Sequence, residues 1–236
     1  GPNSLWTITG WLDIGPDSTS GSNFGQITLQ DGGGMSVGHD LNIHGTSGAT
    51  SVMTVKSGGS LDVSGLLYIG SYSTVALSES YSKITTGTLA KFAPVGPGSF
   101  NWTAGTLELT DEPLKLDSTF PHSVLGSALT IGAGKTLIVS AYDEVYGDSL
   151  VVADGASGSL TIQGGGDVGR YNGDIGFKGT SHGVVTVQNS GSTWTVDQNL
   201  TVGRADSSPG ELSIQNGAAV SAYDVYIGTW NSAHGT

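Results

Sequence analysis

The 236-residue sequence contains no cysteine. That excludes a disulfide framework and any thiolate metal site. Cations are scarce: eight Lys and Arg stand against twenty Asp and Glu, for a net charge of −12, and only 12% of residues are charged at all. Nucleic acid and anionic membrane both attract a basic surplus, so neither is expected as a partner. No apolar run approaches the roughly 18 residues that read as a transmembrane helix, so no membrane insertion by this segment is expected. No secretory leader pattern is visible. Helical patterning is missing too: no segment holds apolar residues at i, i+3, i+4 and i+7 for more than about two turns. Proline is rare and clustered. Pro94, Pro97, Pro113 and Pro121 are four of only seven, which leaves most of the chain free of a residue that central strands avoid.

Glycine is what the sequence has in excess, with 39 residues and no Gly-X-Y period. Such a composition means low complexity or very many turns, and the spacing of the apolar residues decides for turns. Counted from Met53, the residues Val55, Leu61, Val63, Leu67 and Ile69 fall at +2, +8, +10, +14 and +16, and Leu29, Met35, Val37, Leu41 and Ile43 fall at the same offsets from Ile27. Each stretch reads as three short strands with a period-two apolar pair, joined by tight Gly-containing turns. A unit of about 25 residues that recurs along a chain is the signature of a solenoid.

Further copies follow. Trp6, Ile8, Leu12 and Ile14 repeat the offsets of Trp194, Val196, Leu200 and Val202, so the first copy begins at a second strand. Leu129, Ile131, Leu137 and Val139 restart the pattern, and later copies open at Leu160, Val185 and Leu212. Residues 71–128 fit worst, with strand-like pieces at 73–77, 100–103, 106–110 and 114–116; they read as degenerate coils with a loop excursion. The expectation is one all-β domain over residues 1–236, a right-handed parallel β-helix with three strands per coil and about 8–9 coils. Neither end carries an atypical polar coil, so an excerpt of a longer array is expected.

The outward positions agree with this register. The middle of the first strand reads Thr28, Thr54, Thr130, Thr161, Thr186 and Ser213, and two residues on come Gln30, Lys56, Gly132, Gln163, Gln188 and Gln215. Stacked in register these make a hydroxyl ladder beside a partial glutamine ladder, whose amides bond along the stacking axis.

The stretches Gly191-Ser-Thr-Trp-Thr-Val196, Leu200-Thr-Val-Gly203 and Gly210–Val220 resemble the autotransporter-type β-strand repeats of large bacterial surface proteins. Phe100–Leu107 is similar to a segment that such proteins place between repeat blocks. The resemblance implies a parallel β-solenoid passenger, extracellular or displayed on a bacterial cell surface, without catalytic residues. The uninterrupted stacking edges at both ends add the expectation of a structural or adhesive role, as a rigid stalk or stacking fibre unit. Partners would be further copies of the repeat, in cis or end to end, and glycans.

Chemistry-bearing residues are few. Gly32–Gly34 and Gly164–Gly166 precede strands, with no following Lys-Ser/Thr, so they read as corners rather than phosphate loops. Asp143, Glu144 and Asp148, with Asp154 beyond, form an acidic connection and are the calcium candidates; no other cofactor is expected. The five histidines, His39, His44, His122, His182 and His234, show no ligand spacing. A polysaccharide-cleaving β-helix would draw on Asp167, Arg170, Tyr171, Asp174 and Lys178 in one coil. A carbohydrate-binding one would use the exposed aromatics Trp11, Tyr68, Tyr226 and Trp230. An ice-binding face would use the threonine rank, which is one residue wide.

Overall fold

A computed structural model of the chain describes residues 3–15, 24–91, 98–111, 114–116, 124–125, 128–132, 134–139, 150–154, 156–204, 208–228 and 235–236. The chain is all-β, its parallel sheets stacked as a β-solenoid, as the apolar offsets predict, with about seven turns where eight to nine were expected. No helix occurs among the described residues. The chain divides into two compact units, Gly1–Asp111 and Glu112–Thr236.

The strands of the first unit are β1 (Leu5–Ile8), β2 (Leu12–Ile14), β3 (Gln26–Leu29), β4 (Gly34–Val37), β5 (Leu41–Ile43), β6 (Ser51–Val55), β7 (Ser60–Ile69), β8 (Ser73–Leu77), β9 (Lys83–Lys91), β10 (Ser99–Trp102) and β11 (Gly105–Leu109). They stack on three sides. The first runs β3–β6–β8–β10 and the second β1–β4–β7–β9–β11, while β2 and β5 continue into the C-terminal halves of β7 and β9 on the third. The pairing keeps the sequence register: Ile27 faces Met53, and Met35 faces Leu61. Met53, Val55, Leu61, Val63, Leu67 and Ile69 are all buried, each contributing about 1.5–3 kcal/mol of burial before entropy is subtracted.

Why the chain turns rather than folding back is visible after β6. Ser57 and Gly58 both take positive φ, at 49° and 75°, and the Gly59 N–H donates to the Lys56 carbonyl at 2.8 Å. Asp31-Gly32 makes the same corner one coil earlier, with Gly33 donating to Gln30. Glycine supplies the second positive φ of each pair, and the first falls on Asp or Ser, at the steric penalty a Cβ brings there. Gly59 itself is needed for space, since a Cβ on it would collide with the Leu29 carbonyl of the coil before. Ser82 closes the corner from the next coil: it is buried, and its Oγ accepts from Gly58 N–H at 3.2 Å.

Part of the stretch that the offsets leave unassigned is a regular coil. Val75 and Leu77 of β8 face Met53 and Val55, and Ile84 of β9 faces Leu61. Two departures hide it from a periodicity count. Ile84 follows Val75 by nine residues where Leu61 follows Met53 by eight, and the inward place taken by Val63 belongs to Thr86 in β9. The buried Thr86 hydroxyl is satisfied locally, by the carbonyls of Gly65 and Thr88.

The second unit comprises β12 (Leu114–Leu116), β13 (Ala128–Ile131), β14 (Lys135–Val139), β15 (Leu150–Asp154), β16 (Gly158–Gln163), β17 (Asp167–Arg170), β18 (Gly173–Lys178), β19 (Gly183–Gln188), β20 (Thr193–Val202), β21 (Gly210–Gln215) and β22 (Ala219–Ile227). Its first side is β13–β16–β19–β21 and its second β14–β17–β20–β22. Its third is β12–β15–β18, continued by the later halves of β20 and β22. Ser192 repeats the buried corner bond, accepting from Gly165 N–H at 3.1 Å.

The outward rows fall where the register puts them. Thr130, Thr161, Thr186 and Ser213 are successive ladder neighbours in the second unit. Gln163, Gln188 and Gln215 are neighbours too, and Gln188 Nε2 donates to Gln163 Oε1 at 2.8 Å. The rows are weaker elsewhere. Gln215 turns to Ser213, Gln30 bonds to Asp31, and in the first unit Thr28 and Thr54 are followed by Ala76.

Candidate functional site

The coil with the most polar chemistry runs from β16 through β18. Its inward row departs from its neighbours at two places. On the second side the inward residue of β17 is Arg170, which lies in register between Val139 of β14 and Val196 of β20. On the third side the inward residue of β18 is Gly173, between Leu150 of β15 and Leu200 of β20. The coil has exchanged a small residue for a large one at the first place and a large one for none at the second. Space passes from one to the other: a Cβ on Gly173 would lie 3.1 Å from Trp194 Cζ2, 3.4 Å from Leu200 Cδ1 and 3.7 Å from Arg170 Nε.

Arg170 is 2% exposed and lies over the buried Trp194 ring, Cζ 5.2 Å from the centroid. A cation over an indole face is attracted by the ring quadrupole. Burial lowers the guanidinium pKa to about 9, while Asp197 and Asp167 act through space to raise it. It therefore keeps its charge at neutral pH. Asp167 is itself held by the Thr193 hydroxyl.

The outer layer of the third side carries a separate ionic cluster. Asp174, 2% exposed, accepts from Arg204 Nη1 at 3.2 Å, and Asp154 Oδ1 forms an ion pair with Lys178 Nζ at 3.1 Å. The two cations flank Phe177, with Arg204 Cζ 4.7 Å and Lys178 Nζ 5.7 Å from its centroid. Tyr171 is exposed at the corner between the second and third sides. The five residues of the acid–base reading thus share one coil but not one site. Arg170 is interior, Asp167 faces outward on the second side, and Asp174 and Lys178 are engaged on the third.

No family model, curated protein or solved structure matches this chain.

The first unit holds two of the four sugar-binding candidates, Trp11, which is exposed, and Tyr68, which is half-buried rather than exposed. Trp11, 66% exposed, stacks on His39 with centroids 5.1 Å apart. Nearby on the third side, Asn42 Nδ2 donates to Asp13 Oδ1 at 2.8 Å, and Asn42 is the ladder neighbour of Tyr68. The His44 ring is 5.9 Å from that of Tyr68, and its Nε2 is 3.9 Å from Asp13. Burial raises the Tyr68 pKa. Tyr226, in the second unit, is exposed beside Thr201.

Trp230, the calcium candidates Asp143, Glu144 and Asp148, and His122 and His234 lie outside the described residues. Asp154, the other acidic member, is in the ionic cluster with Lys178. Among the described residues no three His, Asp or Glu side chains come together as a metal group. Sequence reading missed Arg204, Phe177, Asp13 and Asn42. The one usable signal for these was vertical: Asp13 and Asn42 occupy equivalent places in successive copies.

Proposed function

We propose that this chain is a non-catalytic structural or adhesive segment of an extracellular or surface-displayed bacterial protein, serving as a stalk or stacking fibre unit. The observation that carries this reading is the dispersal of the acid–base candidates: Arg170 inside the coil, Asp167 on one side, Asp174 and Lys178 tied down on another. General acid–base catalysis needs such groups converging on one bond. What repeats from coil to coil is instead the apolar interior, the corner serines and the outer Thr and Gln rows. Further support lies in strand edges that are unpaired among the described residues. β1 leaves Leu5 and Trp6 exposed, and β22 leaves Val225 and Ile227 exposed. Such edges pair readily with more strands, so further coils of the same repeat, in cis or from a second copy, are the proposed partners. Negative-stain electron microscopy of the protein bearing these coils should show stalks or filaments. Compact globular particles, or release of reducing sugar from polysaccharides, would refute the reading.

A second reading, glycan binding, is favoured by the exposed Trp11–His39 stack next to the Asp13–Asn42 pair and Tyr68. An aromatic face flanked by amide and carboxylate groups suits a pyranose ring. A glycan array checks it: binding should be lost on Trp11→Ala, and an empty array removes this reading while leaving the structural one intact.

A further inference from the structure

Four corners between a first and a second side share one build. Gly33, Gly59, Gly166 and Ala218 each donate an N–H to the carbonyl three residues back, of Gln30, Lys56, Gln163 and Gln215, at 2.8–3.1 Å. The two residues between are Asp31-Gly32, Ser57-Gly58, Gly164-Gly165 and Asn216-Gly217, and both take positive φ in every pair. This is the type I′ turn, whose two left-handed positions favour Asn-Gly. Asn-Gly is also a reactive pair: the amide carbon of the asparagine is followed by a main-chain nitrogen that no neighbouring side chain shields. Asn216 and Gly217 are exposed. That corner position is equally exposed at Gly164 and Asn189, where strands stack on both sides. At two equivalent corners the glycine N–H is held, Gly58 by Ser82 Oγ at 3.2 Å and Gly165 by Ser192 Oγ at 3.1 Å. Among the described residues no acceptor takes the Gly217 N–H.

The chain holds one other Asn-Gly, Asn172-Gly173, and its setting is the opposite. Asn172 is 8% exposed, its Oδ1 accepts from Asn199 N–H at 3.0 Å and its carbonyl from Leu150 N–H at 3.2 Å. Gly173 lies in the ladder between Leu150 and Leu200. Bringing the Asn172 side chain onto the next nitrogen means parting a layer from its neighbours. At Asn216 a single turn bond, Ala218 to Gln215, has to open. Local opening of an exposed turn costs far less than opening a core layer. We propose that Asn216 is a self-modification site of the folded protein, with the Gly217 nitrogen as its nucleophile. That nitrogen, having lost its proton to a solvent base, bonds to Asn216 Cγ. The Cγ–Nδ2 bond breaks, ammonia leaves, and a five-membered cyclic imide closes. Water then opens the ring at either carbonyl. Attack at Cγ gives aspartate; attack at the main-chain carbonyl gives isoaspartate, with the backbone routed through Cγ. Both products put a carboxylate where a neutral amide stood, and isoaspartate also lengthens the corner between β21 and β22.

The test incubates the full folded chain in mildly alkaline buffer made with heavy-oxygen water and follows the peptides holding Asn216 and Asn172 by mass spectrometry. The Asn216 peptide should exchange its amide nitrogen for one solvent oxygen and divide into aspartate and isoaspartate forms. It should do so at least about tenfold faster than the Asn172 peptide. In urea the same chain should lose that difference, because both sites are then unfolded Asn-Gly pairs. Asn216→Ser keeps a corner that Ser57-Gly58 already makes, and should abolish the change in its own peptide while leaving Asn172 as slow as before. An Asn216 peptide that stays intact while the unfolded chain converts, an Asn172 peptide that reacts as fast in the folded chain, or a conversion that takes up no solvent oxygen would each overturn the proposal.

Discussion

The exchange of side-chain volume between Arg170 and Gly173 makes a prediction that a double-mutant cycle can settle. The neighbouring coils carry Val and Leu at these two places, as Val139 with Leu150 and Val196 with Leu200. Putting the neighbours' residues back one at a time should fail in opposite ways. Gly173→Leu begins with a Cβ already 3.1 Å from Trp194 and adds three carbons toward Arg170. Overpacking of that kind costs about 1–3 kcal/mol, which cancels most of the roughly 1.5–3 kcal/mol that a buried leucine would otherwise contribute. Arg170→Val removes a buried charge, which is favourable, but leaves a void beside Gly173 at about 24 cal/mol per Å³. In Arg170→Val/Gly173→Leu the leucine fills that void and both terms are relieved together.

The double variant should therefore be more stable than the sum of the singles by about 2–3 kcal/mol, near the upper limit for side chains in contact. Urea unfolding followed by far-ultraviolet circular dichroism measures it, with the slope of each transition checked, because stacked coils can lose cooperativity. Additivity within about 0.5 kcal/mol would mean that the two positions do not share space, and the volume-exchange account would be wrong.

Other consequences are simpler. Ser192→Ala and Ser82→Ala each leave a corner N–H without its buried acceptor, at Gly165 and Gly58; each should lower stability by about 1–3 kcal/mol in the same urea assay, with little effect expected from the outward Thr161→Ala. Gly59→Ala places a methyl against the Leu29 carbonyl of the adjoining coil, where nothing flexible can give, so a loss of at least about 2 kcal/mol is expected in thermal unfolding. Burial raises the Tyr68 pKa. The folded state thus holds that proton longer than the unfolded chain does, and the associated stability is intact below about pH 10 and fades as pH rises through the folded value. Ultraviolet titration should show Tyr68→Phe losing one of the later-ionising phenols.

How much of this was legible in the sequence depends on which direction the information runs. Along the chain, the period-two pairs and their offsets carry the fold, because inward residues are apolar wherever a layer lies on either side. Trp6 and Trp194 hold the same offset, and the difference between 51% and 1% exposure is set by the layers around them: β20 has strands on both edges, while β1 is paired with β4 alone among the described residues. Where one insertion shifts the count, as between Val75 and Ile84, the eye loses the coil although the ladder does not. Thr86 shows why: a threonine sits inward at no great cost when two carbonyls are within reach of its hydroxyl.

Across the coils the sequence says less, because contacts between layers join residues some 25 positions apart with no local mark. Read along the chain, Arg170 groups with Asp174 and Lys178, its neighbours in sequence. Strand alternation and the corner at Tyr171 separate them, sending the arginine inward and the other two to the outer layer. Read vertically instead, column by column, the same residues would have shown an arginine in a valine column and a glycine in a leucine column of one coil. In a solenoid the column is the unit of packing. A polar residue that breaks a column, and the glycine that makes room for it, therefore point to the same place in the interior. That pair, rather than any cluster along the chain, is where this otherwise repetitive protein departs from its own rule.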